Sequence, residues 1–243
     1  MNEHPVPLRL VCCVNQPQVF TQRLMASPCI AQGRVPITAV YQCTDAAQAF
    51  NTAMATCDGP QWLVWVHQDV FLPEAWDAVF GAALAQATQR FPGLAIAGVY
   101  GLQGSGADAR RAGHVLDRGQ LLREGTPLPC LADSLDELLF AVRADSGLRM
   151  DAALGFDFYA TDLVLQAQAR GLASAVVDAY CEHWSDTPQG SAPAPAASAR
   201  MARSAQVFEH KWADCLPITT PCFHIEKPGD VAAFLQSLQG AKP

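Results

Sequence analysis

The sequence predicts an α/β fold: a mostly parallel sheet flanked by helices, with a C-terminal helical appendage. Three observations carry this. Short apolar runs alternate with alanine-rich helical stretches through the first 100 residues, and strands separated by helices of that length need the right-handed crossovers of a parallel sheet. The run Trp62, Leu63, Val64, Trp65, Val66 is apolar at consecutive positions, which requires cover on both faces of a strand. Proline, alanine and serine dominate Thr187 to Ala199, a composition that buries no core and suits a linker or lid. The division expected is a sheet domain over residues 1–185 and a linker or lid with a helical appendage over 186–243.

Leu8 to Val14 is the first strand, ending on Asn15 and Gln16. Pro17 to Met25 reads as a short helix, since proline suits a first turn. Ile37 to Tyr41 is the second strand, after which Asp45 caps an alanine-rich helix, Ala46 to Thr56. The third strand, Leu63 to Val66, stops on His67, Gln68 and Asp69. Beyond Pro73 a long helix, Glu74 to Arg90, leads through Phe91, Pro92 and Gly93 to a fourth strand, Leu94 to Tyr100. Gly101 to Arg123 is glycine-rich with mixed charge and reads as loops, with room for a small antiparallel excursion. Ser134 to Val142 carries Asp136 and Glu137 beside apolar residues and leads to Arg143. A helix from Asp162 to Arg170 is closed by Gly171, and Ala173 to Val177 is a last buried strand before Cys181, Glu182 and His183. Ala199 to Trp212 is again helical, and no internal repeat is visible.

A chain of 243 residues that is half apolar can bury a large core. Net charge is −7, and the 16 basic residues are spread along the chain, so no stripe is present to track a nucleic-acid backbone. Nucleic acid is excluded as the expected partner, and an anionic substrate would need a metal or a local cluster of donors. The apolar runs are too short to span a bilayer and the N-terminus lacks a signal-type apolar core, so the default expectation is cytoplasmic, with no transmembrane segment. Nine cysteines form no CxxC pair, which reads as reduced thiols and argues against a zinc cluster. Oligomeric state is left open.

Ligands gather at the carboxyl ends of parallel strands, which is where Asp69 falls. Its carboxylate offers hard oxygen ligands for Mg²⁺ or Mn²⁺. The same residue could simply open the turn before Pro73.

Four stretches occur in a telling order: Val11 to Asn15; Ala46 to Asn51 leading into Val66, His67, Gln68, Asp69, Val70; Leu135 to Arg143; and Gly155, Phe156, Asp157, Phe158, Tyr159, Ala160, Thr161, Asp162, Leu163 closing on Cys181, Glu182, His183. In these the chain resembles glycosyltransferases of the GT-A fold, family 2-like, and most closely the small domain named after a streptomycin-biosynthesis protein. The resemblance spans roughly residues 8 to 185. It implies a Rossmann-like GT-A sheet, a nucleoside-diphosphate sugar as donor across the strand ends, Mn²⁺ or Mg²⁺ on its diphosphate, and inverting transfer to an acceptor the sequence does not name.

Carried over by position, Asp69 matches the last carboxylate of the family's DXD motif, while His67 stands where its first acid usually does. An imidazole adds no negative charge, so this site should hold a hard cation less tightly. His183 matches a histidine that completes the metal and phosphate site, or it is satisfied in a strand-end turn. Asn15 and Asp45 match nucleoside-binding positions, and either could instead be a cap or turn residue. Gln68 belongs to the same strand end. Asn51 is unfavourable inside a helix, which points to a tertiary hydrogen bond. Inverting transfer needs a carboxylate near the acceptor hydroxyl. The family's base position is Ala160 here, so Asp162 is the expected base, with Asp157 and Asp136 in reserve; Asp162 could also cap its helix. Arg143 could face a phosphate or complement a helix dipole. Trp184, Lys211 and Trp212 could cover a sugar or pack a terminal helix. Gly104, Ser105, Gly106 lack the following Lys and Thr of a phosphate loop.

The alternative is a catalytically silent GT-A-like domain that binds a nucleotide or a protein, supported by the missing acids at positions 67 and 160. A nucleotidyltransferase needs a glycine-rich loop with a basic residue after the first strand, which Asn15, Gln16, Pro17 and Gln18 do not supply.

Overall fold

The computed structural model describes residues 6–185 and 193–240. The chain adopts the expected α/β class, with a large mixed sheet flanked by helices. Its seven strands run from edge to edge as Ile37–Tyr41, Leu8–Val14, Trp62–Val66, Leu139–Arg143, Leu94–Gly98, Ala173–Val176 and Cys130–Leu131. The first three are parallel, as are Leu94–Gly98 and Ala173–Val176. Leu139–Arg143 is inserted antiparallel between Trp62–Val66 and Leu94–Gly98.

Trp62–Val66 is buried at every position. Successive side chains point to opposite faces, so Val64 and Val66 join a cluster with Leu10 and Phe80, while Leu63 and Trp65 join Val11, Phe50 and Phe140. The helix Ala46–Ala55 covers the second face and Trp76–Arg90 the first. Asp45 caps the former, its carboxylate accepting from the Gln48 amide at 2.7 Å.

The expected strand Leu94 to Tyr100 is two strands. Leu94–Gly98 stays in the main sheet, and Tyr100–Gln103 crosses into a second one. That sheet is ordered Ser134–Leu135, Tyr100–Gln103, Arg110–Asp117, Cys181–His183, Val70–Phe71, with Gln120–Arg123 paired onto Arg110–Asp117. Most of the stretch read as loops is therefore strand. Glycine obscured it, and it does so for a reason: Gly113, opposite Tyr100, has φ +116° and sits where a Cβ would run into the Val99 carbonyl. Only glycine fits that approach.

The helix expected from Asp162 starts earlier, as Tyr159–Ala169, behind Phe158 at φ +66°. The C-terminal helix also starts earlier, as Pro195–Lys211; much of the proline-, alanine- and serine-rich stretch lies in 186–192, outside the described residues. A small hairpin, Ile218–Thr219 with His224–Ile225, and a helix, Asp230–Gly240, complete the chain. Phe208, Ile225, Val231 and Leu235 pack onto Leu154, Phe158 and Leu165 as a third apolar cluster. All nine cysteines are free thiols. No described helix is long and apolar enough to cross a membrane.

Candidate functional site

Trp62–Val66 ends at His67, whose amide donates to the Leu138 carbonyl at 2.9 Å. The chain then turns into Val70–Phe71, which pairs antiparallel with Cys181–His183, Val70 opposite His183. On its other side Cys181–His183 runs parallel to Arg110–Asp117, with His183 opposite Asp117. Pairing register thus brings Asp69, His183 and Asp117 together from three distant segments. The Trp184 amide donates to the Asp69 carbonyl at 2.9 Å and fixes the turn.

His183 is the centre of the group. Its Nδ1 lies 2.8 Å from Asp117 Oδ1 and its Nε2 3.4 Å from Asp69 Oδ1. Burial opposes charge on this ring, but the hydrogen bonds to Asp117 and Asp69 outweigh it and raise the pKa to about 10. Asp69 shows the converse: burial favours its neutral form, yet the bond to His183 and the field of both imidazoles hold it down to about 2. For Asp117, too, burial is overridden by His183, and its pKa is lowered. His67 has its pKa pushed down by burial. Its Nε2 is 2.9 Å from the Tyr159 hydroxyl, which accepts from Trp65 Nε1 at 3.0 Å.

One ligand atom each from His67, Asp69 and His183 falls within 4.8 Å of the others, a spacing that suits a divalent cation. The surroundings fit that use. Asp117 accepts the Nδ1 proton of His183, which leaves Nε2 toward Asp69; metal-binding histidines are held in this way by a carboxylate behind them. Tyr159 engages one nitrogen of His67 and leaves the other.

Beside this cluster lies a cleft of about 640 Å³. It is lined by His67, Asp117, His183, Asp136, Glu137 and Asp157 and, from the C-terminal segment, by Arg200 with Thr220 to Phe223. Asp157 is held by Arg200 through two bonds, at 3.0 and 2.9 Å, and by the Ser204 hydroxyl at 3.0 Å. Asp136 accepts from the Leu138 amide at 3.0 Å. Phe158, in the left-handed region that disfavours an aromatic residue, is clamped between Phe208 and Phe223.

The remaining residues named from sequence fall elsewhere. Asp162 is fully buried inside its helix and does not line the cleft. It accepts from Gln166 Nε2 at 2.7 Å and Trp212 Nε1 at 2.8 Å and pairs with Lys211 at 2.7 Å. Its oxygens are committed to the C-terminal segment, so it is neither a cap nor placed to act as the base. Lys211 and Trp212 are likewise tied to that packing and not to the cleft. Arg143 sits opposite Trp62, the start of the central strand, and pairs with Asp145 at 2.6 Å. That is the rim away from His67, and Arg143 cannot serve a ligand there. Asn51 makes its tertiary bond, to both backbone groups of Met150. Gln68 accepts from the Asn15 and Gln16 amides at 3.1 and 2.9 Å and donates to the Asn15 side chain, so the ends of the first and third strands are laced together. Trp184 lies under Arg23 at 4.4 Å.

Sequence reasoning missed Asp117, Glu137, Tyr159 and Arg200. A signal existed for Asp117: Arg118 and Gly119, both at positive φ, form a two-residue turn between Asp117 and Gln120, a hairpin pattern that places Asp117 at a strand end.

No protein-family profile matches the chain, and no curated protein matches it. A crystal structure of GalNAc-T7 with UDP, GalNAc and Mn²⁺ is similar, with a TM-score of 0.52 at 10% identity, over 98% of this chain and 55% of that one. The chain thus spans about half of that protein's length. An inositol-1-phosphate CTP transferase from T. maritima aligns with a TM-score of 0.35 at 10% identity, over 84% of this chain and 98% of that one. The first likeness establishes a fold of the GT-A glycosyltransferase type.

Proposed function

We propose that the chain is an inverting glycosyltransferase, family 2-like and of the streptomycin-biosynthesis type, that moves a sugar from a nucleoside-diphosphate donor to an acceptor. The convergence of His67, Asp69 and His183 at the strand-end rim of a GT-A-like sheet, beside a cleft, carries this reading. These three residues would hold a divalent cation that neutralises the donor diphosphate. Two imidazoles and one carboxylate suit Mn²⁺ better than Mg²⁺, which demands oxygen ligands. Asp117 positions His183, and Tyr159 positions His67. Asn15, Asp45 and Gln68, at the ends of the first strands, are offered to the nucleoside. We assign the transferase domain to residues 1–185 and the appendage to 186–243, of which Arg200 and Thr220 to Phe223 line the cleft.

Calorimetric titration of UDP, GDP and dTDP with and without Mn²⁺ tests this reading, followed by donor-sugar hydrolysis. At least one diphosphate should bind only with Mn²⁺, and Asp69→Asn should abolish that binding while the circular dichroism spectrum stays unchanged. Metal-independent binding, or binding unchanged in Asp69→Asn, overturns the metal assignment. Binding without turnover of any donor sugar favours the silent domain.

A further inference from the structure

One carboxyl in the cleft carries a buried oxygen with no partner. Glu137 lines the cleft between the strands Ser134–Leu135 and Leu139–Arg143, and its Oε1 is shielded from solvent with no hydrogen-bond partner. Orphaned buried acceptors are rare in native proteins, and each calls for a ligand or a chemical role. The amides of Ala160 and Tyr159, in the first turn of Tyr159–Ala169, face this carboxyl and favour its ionised form. Asp157 is held by Arg200 and Ser204, Asp117 by His183 and Glu124 by the Tyr100 hydroxyl, while Asp136 accepts from the Leu138 amide through one oxygen.

We propose that Glu137 is the catalytic base, its carboxyl taking the proton of the acceptor hydroxyl as that oxygen attacks the anomeric carbon of the donor. The assignment rests on the transferase reading above. The new oxygen–carbon bond forms while the bond from the anomeric carbon to the diphosphate breaks, its electron pair leaving on the diphosphate. The proton stays on Glu137 until the product departs and solvent removes it. Burial, with Asp157 and Asp136 close by, holds the Glu137 pKa well above the usual carboxylate range, and Tyr159, Cys222 and Arg200 also face it. A raised pKa strengthens a base and brings its titration toward the working pH.

The test compares wild type, Glu137→Gln and Glu137→Ala with Mn²⁺ and a panel of nucleoside-diphosphate sugars. Water serves first as acceptor, then azide, which attacks with no proton to lose. Hydrolysis should fall by about 10²–10⁴-fold in both variants, with the Kd for the nucleoside diphosphate essentially unchanged. Azide should restore turnover in Glu137→Ala, and the acid limb of the wild-type pH–rate profile should vanish. If Glu137→Ala does not fold, the isosteric Glu137→Gln carries the same azide test. Hydrolysis retained in Glu137→Gln, or azide that fails to restore turnover, overturns the assignment and leaves the transferase reading standing. A wild type that hydrolyses no donor overturns both.

Discussion

A buried carboxyl leaves a thermodynamic trace that is independent of catalysis. Burial, then the charges of Asp157 and Asp136, raise the Glu137 pKa in the folded chain, above the ~4.3 of an unfolded glutamate. Below that unfolded value both states hold the proton, and the side chain weakens nothing by this route. As pH rises further the unfolded chain ionises first, so wild-type stability declines until pH passes the folded value. Glu137→Gln cannot ionise and escapes the loss. Its urea midpoint should match wild type at pH 4 and exceed it at pH 8; equal midpoints at both would mean that the carboxyl is hydrated in the native state. Asp69 and Asp117 run the other way, since His183 stabilises their ionised forms.

Among the elements, the helix Ala46–Ala55 shows how a locally poor residue fixes tertiary geometry. Asn51 donates to the Met150 carbonyl at 2.9 Å and accepts from the Met150 amide at 3.0 Å, while Met150 itself is 3% exposed. Alanine at this position adds at most about 0.7 kcal/mol of helix propensity, whereas stranding buried polar groups costs about 1–3 kcal/mol. Asn51→Ala should therefore be destabilising on balance, read from its denaturant midpoint. The same contrast governs what the sequence disclosed. Trp62–Val66 was legible because a strand covered on both faces has no polar alternation to disguise it. Asp45 was legible as a cap because its partner, the Gln48 amide, is three residues away. The antiparallel Leu139–Arg143 strand was not, since its place between Trp62–Val66 and Leu94–Gly98 is set by partners far along the chain. Asp69 and His183 could be paired from a family pattern, but Asp117 joins them through the register of a sheet that no local signal specified in full. Asp162 misled because an acid at a helix start reads the same whether it faces a cleft or a lysine from another segment.

At the scale of the whole molecule, the cleft depends on two bodies of packing that share few residues. The main sheet is buried by its own helices, whereas the wall from Thr220 to Phe223 and Arg200 rests on the third cluster, centred on Phe208. Phe208 is fully buried and stacks on Phe158 with ring centroids 5.1 Å apart. Phe158 is itself the residue held at φ +66° ahead of Tyr159–Ala169, whose first amides face Glu137. Phe208→Ala should cost about 3–5 kcal/mol within that cluster. Because the lost contacts lie outside the sheet clusters, hydrogen exchange should quicken across Pro195–Lys211 and Asp230–Gly240 while Trp62–Val66 keeps its protection. On the proposed assignment of His67, Asp69 and His183 to the donor diphosphate and of Glu137 to the acceptor, nucleoside-diphosphate binding should survive in this variant and sugar turnover should not. Uniform loss of protection through the sheet would show instead that the two packing bodies unfold as one.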